Sequence, residues 1–448
     1  MFAAFLATPP AGGDIFRNAG TRGAIEAVDH PAVVRRRSAV IDIDRLRDGA
    51  DANDLSPIVF DLFDDAVFRV VSATVTERPG GAFDILASLR DGSDEPATLT
   101  MVCRGDEVAG TIRTDAGRIF QFHTTDDRRT RIEELVAGNE PPCMAEAAPR
   151  VGPGARAVEV AHDARTPVAD VLVVYTPLAA ALNGGDGAIR NRIENAMHEA
   201  NIALEASDAR LHLRLIRTLP VDYAESGSSG TDLFRLRFNG DGFLDEAHAL
   251  REQYGADIVA LVVESRREFC GVGYVQDFPG PDFAEFAFSV TDAYCLTTNM
   301  TLAHEIGHNL GCRHDRDNSS PHGSYDYAYG YRTADSRYRT LMAYSPGTRV
   351  LRFSGPDSQY SGYTMGVAAG QPNAAHNAKV ITDTAHIVEA FRPPSPYIAD
   401  LNRDERVDAV DLNVLLGAWG ADDPLGDINR DGVVNGADLG ALLASWTG

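Results

Sequence analysis

The sequence predicts a multidomain α+β protein: an antiparallel β domain, an α/β domain with a mixed sheet and a histidine-bearing helix, and a small all-α tail. Three observations lead there. Runs of period-two alternation separated by Pro-Gly-Gly and Asp-Gly turns fill the region from Ala39 to Thr125. Beyond Asp170, buried-type strands alternate with helical apolar periodicity, the pattern of a mostly parallel sheet covered by helices. The C-terminal stretch repeats itself at a spacing of 27 residues, including the only two tryptophans, Trp419 and Trp446.

Residues 1–30 carry no pattern and are expected to be poorly ordered. Residues 31–145 form the β domain, with alternation plain in Ile119-Phe120-Gln121-Phe122. A Pro-, Gly-, Ala- and Arg-rich stretch, 146–166, reads as a linker. The α/β domain spans 167–394. It opens with the strand from Asp170 to Tyr175, stopped by Pro177, and a long helix over Ala188–Ala206. A strand follows near Leu211, a helix near Leu244–Tyr254, a buried strand over Asp257–Val263 and a last helix over Ala375–Phe391. Arg392-Pro393-Pro394 closes the domain, and the tail runs 396–448.

The chemistry concentrates in TLAHEIGHNLGCRHD, Thr301–Asp315. His304 and His308 are four apart, so a helix presents both imidazoles on one face. Gly311 stands where the chain must leave the helix sharply, letting His314 swing back as a third ligand. Three neutral nitrogens with a fourth position open is the coordination of a catalytic zinc. Glu305, between the two helical histidines, is placed to act as general base on a metal-bound water.

H-E-x-x-H-x-x-G-x-x-H resembles the metzincin zinc peptidases, and Asp315 after the third histidine resembles the reprolysin (adamalysin) branch. The resemblance implies a zinc endopeptidase acting on protein or peptide substrates, and a methionine turn beneath the metal. Thr340-Leu341-Met342-Ala343-Tyr344 fits that turn, with Met342 as apolar floor, ordinary core packing being the other reading. Tyr344 has the Met-x-Tyr order of astacins and serralysins, where the phenol serves zinc or the oxyanion. Reprolysins more often carry a proline there, and a plain wall residue is the alternative. Gly271-Val272-Gly273-Tyr274 resembles the reprolysin edge strand, which a substrate joins as an extra strand, against the alternative of a tight glycine loop.

Placed ahead of such a domain, the β domain reads as a propeptide, and the protein as a secreted or cell-surface zymogen. The opening MFAAFLATPPAGG has no basic n-region and is a poor signal peptide. Related zymogens hold a propeptide thiol on the metal; Cys143 is placed for that role, with a free thiol or a pair with Cys103 as alternatives. Among the five cysteines, Cys270 with Cys295 is the first choice of disulfide, Cys312 being a competing partner for either.

Each tail copy sets oxygen side chains at positions 1, 3, 5, 9 and 12 of a calcium loop. These are Asp400, Asn402, Asp404, Asp408 and Asp411, then Asp427, Asn429, Asp431, Asn435 and Asp438. Gly432 supplies the turn glycine of the second loop; Glu405 replaces it in the first, which is expected to bind more weakly. The pair resembles a type I dockerin domain and implies a cohesin-type partner, a solvated acidic face without calcium being the other reading.

A net charge of −24 argues against nucleic acid as a partner, and no apolar run is long enough to span a membrane. All but one of the 41 basic residues are arginine, Lys379 being the exception. The rival from another class is a non-catalytic metal-binding adhesion or scaffold protein. Against it, neither a ligand nor the base is missing from the motif.

Overall fold

The computed structural model describes residues 13–17, 33–135, 143–148, 165–264, 269–319, 323–402 and 406–448. Most of 1–30, most of the 146–166 linker, and Asp404 with Glu405 lie outside them. The chain divides into two units, Met1–Ala137 and Gly138–Gly448.

The first unit is one ten-stranded sheet, a meander from Ile58–Phe63 through Thr130–Leu135, completed by Val33–Ile41. Its outermost strands, Gly13–Asp14 and Phe16–Arg17, are separated by one residue, so the sheet wraps round toward closure. Alternation buries Phe60, Phe68, Phe120 and Phe122 on the inner face, where Phe16 meets Phe122 edge to face. Residues 13–17 thus have a fixed place in the sheet, within a stretch for which the sequence predicts no order.

The second unit is built on a six-stranded sheet. In chain order its elements are β1 (Cys143–Ala147), β2 (Val168–Tyr175), α1 (Pro177–Asn183), α2 (Asp186–Glu205), β3 (His212–Pro220), α3 (Ser229–Arg237), α4 (Asp245–Tyr254) and β4 (Ile258–Val263). Then come β5 (Gly271–Val275), β6 (Phe288–Asp292), α5 (Thr301–Asn309), α6 (Asn377–Val388), α7 (Ala409–Gly417) and α8 (Gly436–Ala444). The strand order is β1-β5-β6-β4-β2-β3. Four strands run parallel; β5 is antiparallel to β6, and β1 lies parallel to β5. β2 and β4 are buried along their whole lengths, as their unbroken apolar runs require of strands covered on both faces.

β1 departs from the predicted boundaries. Cys143–Ala147 straddles the expected end of the β domain and the start of the linker, yet it pairs with β5 in register Cys143↔Gly271 to Ala147↔Val275. The physical reason is the unpaired edge that β5 offers.

The tail shares its interior with the same unit. Leu415, Ile428, Val434 and Leu442 belong to one buried cluster with Leu172, Val174, Val259 and Leu261 of β2 and β4. Both tail helices begin with a capping box, Asp408 with Asp411 and Asn435 with Asp438. Among the described residues no helix is long and apolar enough to cross a membrane.

Candidate active site

α5 ends as its sequence requires. Gly311 takes φ +91°, the N–H of Cys312 bonds the carbonyl of Gly307 at 2.9 Å, and that of Gly311 bonds His308 at 2.9 Å. This is a Schellman ending, and it returns the chain so that His314 faces the helix. The Nε2 atom of His314 lies 3.2 Å from that of His304 and 3.0 Å from that of His308.

The outer nitrogens are anchored. Nδ1 of His304 is 2.9 Å from the Leu341 carbonyl and Nδ1 of His308 is 2.8 Å from the Cys312 carbonyl. A proton bonded to those acceptors leaves each Nε2 lone pair turned inward. Burial keeps the rings neutral: it pushes His308 down to about 4, and His304 and His314 well below the ordinary value.

Three inward lone pairs about 3 Å apart repel unless a cation lies among them. Ligands on a tetrahedral zinc are themselves roughly 3.3 Å apart. The donor set therefore fits the ion that the sequence motif implies.

Glu305 is fully buried beside the triad, with no donor to its carboxylate but the neighbouring Cys143 thiol. Burial raises its pKa well above the usual carboxylate range. Space for it comes from β5. A Cβ on Gly271 would stand 2.6 Å from Oε1 of Glu305, and one on Gly273 3.1 Å from Oε2. The glycines of Gly271-Val272-Gly273-Tyr274 are thus the notch in which the carboxylate sits.

The sulfur of Met342 lies against Gly307 beneath the helix, 2.7 Å from where a Cβ would be. Asp315 ties the third histidine's segment to this turn: its carboxylate accepts from the Tyr344 N–H at 2.9 Å and from Arg332 at 2.8 Å. The Tyr344 ring packs on His314, centroids 4.1 Å apart, and its hydroxyl donates to the carbonyl of Cys143.

β1 thus occupies the edge above the triad. The Cys143 sulfur is buried 3.9 Å from the Thr301 hydroxyl, and lies within 4.8 Å of ligand atoms of His304 and Glu305. Burial and the Glu305 carboxylate hold that thiol protonated. Beside it, Met144, Ala145, Val275, Asp277, Arg313, Asn318 and Tyr344 line a cavity of about 430 Å³ shared with His308 and His314. Cys270 and Cys295 form a disulfide, while Cys103, Cys143 and Cys312 are free.

In the tail, Asp404 of the first copy lies outside the described residues, and the grouping seen among them is in the second copy. Asp427, Asp431 and Asp438 bring carboxylate oxygens within 4.8 Å of one another, with Asn429 and Asn435 alongside. In the first copy Asp400 forms an ion pair with Arg217 of β3. Asp411 accepts the N–H groups of Leu401, Asn402 and Asp408, as Asp438 accepts those of Asn429 and Asn435 in the second copy.

Sequence reasoning passed over Arg349 and the Arg313–Asp277 pair, 2.9 Å, at the rim of the site. In a chain whose cations are almost all arginine, no spacing distinguishes these two from surface charges.

Residues 165–354 match metallo-peptidase family M12. The chain is 30% identical over 320 residues to the peptidyl-Asp metalloendopeptidase of Stenotrophomonas maltophilia strain R551-3, spanning 69% of this chain and 74% of that protein. With its counterpart from Xanthomonas campestris pv. campestris it shares 31% over 317 residues, 67% of this chain and 71% of the relative. That breadth of likeness runs well beyond the histidine motif and covers most of both chains, so the protein belongs to the bacterial peptidyl-Asp metalloendopeptidases of family M12 and is a metalloendopeptidase.

Proposed function

We propose that this is a secreted zinc endopeptidase made as a zymogen, cutting peptide bonds beside aspartate and tethered through its tail. The observation that carries the reading is the meeting of three neutral imidazoles, with Nε2 of His314 3.2 Å and 3.0 Å from those of His304 and His308, next to a fully buried carboxylate. His304, His308 and His314 would hold the zinc. Bound there, the ion supplies a Lewis acid that acidifies a water and polarises the scissile carbonyl.

Glu305 takes the water's proton and passes it to the leaving amine. Its burial favours the first of these transfers, because a carboxylate whose pKa is raised is a stronger base than one in bulk solvent. Tyr344, freed of Cys143, has its hydroxyl available for the developing oxyanion. β5 binds substrate main chain, and Asp315 with Met342 holds the third ligand and the floor in place.

Latency follows from β1. A strand already paired to β5, with its first residue against Glu305, excludes a peptide from the same edge. The aspartate preference comes from the bacterial relatives, whose names state it. For the tail, the acidic grouping at Asp427, Asp431 and Asp438 supports calcium in the second loop. Its duplicated layout, with Trp419 and Trp446 exposed, supports a dockerin-like tether to a cohesin-type partner.

The test is metal content with casein hydrolysis, with and without a zinc chelator. One zinc per chain and chelator-sensitive cleavage are expected; His314→Ala should lose the metal on dialysis. Full metal content in that variant would remove His314 from the ligand set.

A further inference from the structure

We propose that Arg349 is a positioning residue that aims the Tyr344 hydroxyl into the active site, a role that rests on the part given to Tyr344 above. Arg349 and Arg339 are register partners on the short parallel strands Thr348–Arg349 and Tyr338–Arg339, so their side chains leave the same face. Both are buried, at 9% and 6% exposure. Both donate to one oxygen, the Ala343 carbonyl, Arg339 at 2.7 Å and Arg349 at 3.2 Å.

That oxygen belongs to the peptide group joining Ala343 to Tyr344. The N–H at the other end of the same group donates to the Asp315 carboxylate at 2.9 Å. One peptide unit therefore lies between two cations at its negative end and an anion at its positive end, its dipole aligned with both. The unit is planar, so fixing its two ends fixes the direction in which the chain enters Tyr344. The phenol follows. Its ring packs on His314 with centroids 4.1 Å apart, and its hydroxyl meets the Cys143 carbonyl, the edge position that β1 would yield to a substrate.

Arg349 also reaches out of the turn, donating to the Asn299 carbonyl at 2.7 Å. Asn299 precedes Met300, whose φ of +53° turns the chain into α5 with no side-chain cap. The same guanidinium thus ties the helix that carries His304, Glu305 and His308 to the peptide group that aims Tyr344. Keeping two buried guanidinia on a single carbonyl is costly, and what it secures is the orientation of the residue that follows.

The test is a double-mutant cycle on the processed, zinc-loaded protein, read as kcat and KM on a small peptide. Arg349→Gln is expected to lower kcat about tenfold with KM within about twofold of wild type. Arg349→Lys keeps the charge but cannot span both carbonyls, and should lose about threefold. In a Tyr344→Phe background, where no hydroxyl is left to aim, both Arg349 substitutions should change kcat by less than about twofold. Losses that persist undiminished in that background overturn the assignment, and Arg349→Lys gives that reading even where Arg349→Gln folds poorly. Loss of zinc from Arg349→Lys on dialysis overturns it too, since the tie would then serve the metal ligands. A Tyr344→Phe kcat equal to wild type instead overturns the part given to Tyr344 itself.

Discussion

Glu305 owes its position to what its neighbours lack. No nitrogen or hydroxyl donates to its two oxygens, only the Cys143 thiol stands beside them, and two glycines on β5 leave the room it fills. Glu305→Gln keeps shape and volume, so zinc content should stay at one per chain while kcat falls by at least about 100-fold. Gly271→Ala should act on the same group from outside, since the new methyl would stand 2.5 Å from Thr301 Cγ2 and 2.6 Å from Oε1 of Glu305. The expected result is a loss in kcat of roughly tenfold or more with zinc retained. Metal loss instead would show that the helix, not the carboxylate, had moved. The histidines set a pH dependence for the metal-free protein. Burial lowers His308 to about 4 in the folded state, below its unfolded value of about 6.5, so the unfolded chain binds the proton first. Stability should therefore be full above pH ~6.5 and fall by about 3 kcal/mol from this residue as pH drops toward 4, read by denaturant titration. The meeting of His304, His308 and His314 beside Glu305 could be read from sequence because helix periodicity and one left-handed glycine dictate where those side chains go. Arg349 could not be, because the two carbonyls it ties together, those of Asn299 and Ala343, lie 44 residues apart in sequence and meet only in the fold.

At the scale of elements, β1 lies along β5 at the edge of the site, where the proposed latency would act. β1 adds to the sheet by main-chain pairing, held at its first residue by the Tyr344 hydroxyl. Removing that hydroxyl should loosen the strand. Tyr344→Phe is expected to raise the residual activity of the unprocessed chain severalfold while lowering that of the processed one, measured on a small peptide before and after limited proteolysis. A fall in both would leave Tyr344 no part in latency. The strands and helices around the site were legible because their apolar runs are long: β2 and β4 by unbroken burial, α2 by its apolar face. β1 was not, since five residues, Cys143-Met144-Ala145-Glu146-Ala147, carry no alternation and their pairing partner lies over a hundred residues away. α3 escaped for a related reason: Ser229–Arg237 opens with Ser-Gly-Thr and exposes Phe234, which blurs its period.

Across the second unit, the joint between tail and sheet is made of buried charge as well as apolar packing. Arg430, inside the second acidic loop, reaches Asp170 on β2 and lies 3.4 Å from Asp257, while Arg214 meets Asp170 from β3 at 2.6 Å. Burial raises Asp257 well above the ordinary range, with the Asp170 carboxylate adding to the rise and Arg430 the charge that opposes it. Arg430→Met should cost about 3–5 kcal/mol, since it leaves the buried Asp257 without its nearest cation while Asp170 keeps Arg214, and should lower the unfolding midpoint of the peptidase and tail together in one transition. Two separated transitions would mean that the tail folds by itself. Spacing of the acidic residues showed the duplication; it did not show that Asp400 and Arg430 face inward, because the same loop pattern serves a free module and a packed one. A segment whose interior is half made by its neighbour cannot travel between genes as a cassette. Recombination at Pro394 would hand a new host bare leucines and an orphaned arginine, so any exchange that succeeds must carry the matching seam of β2 and β3 along with it.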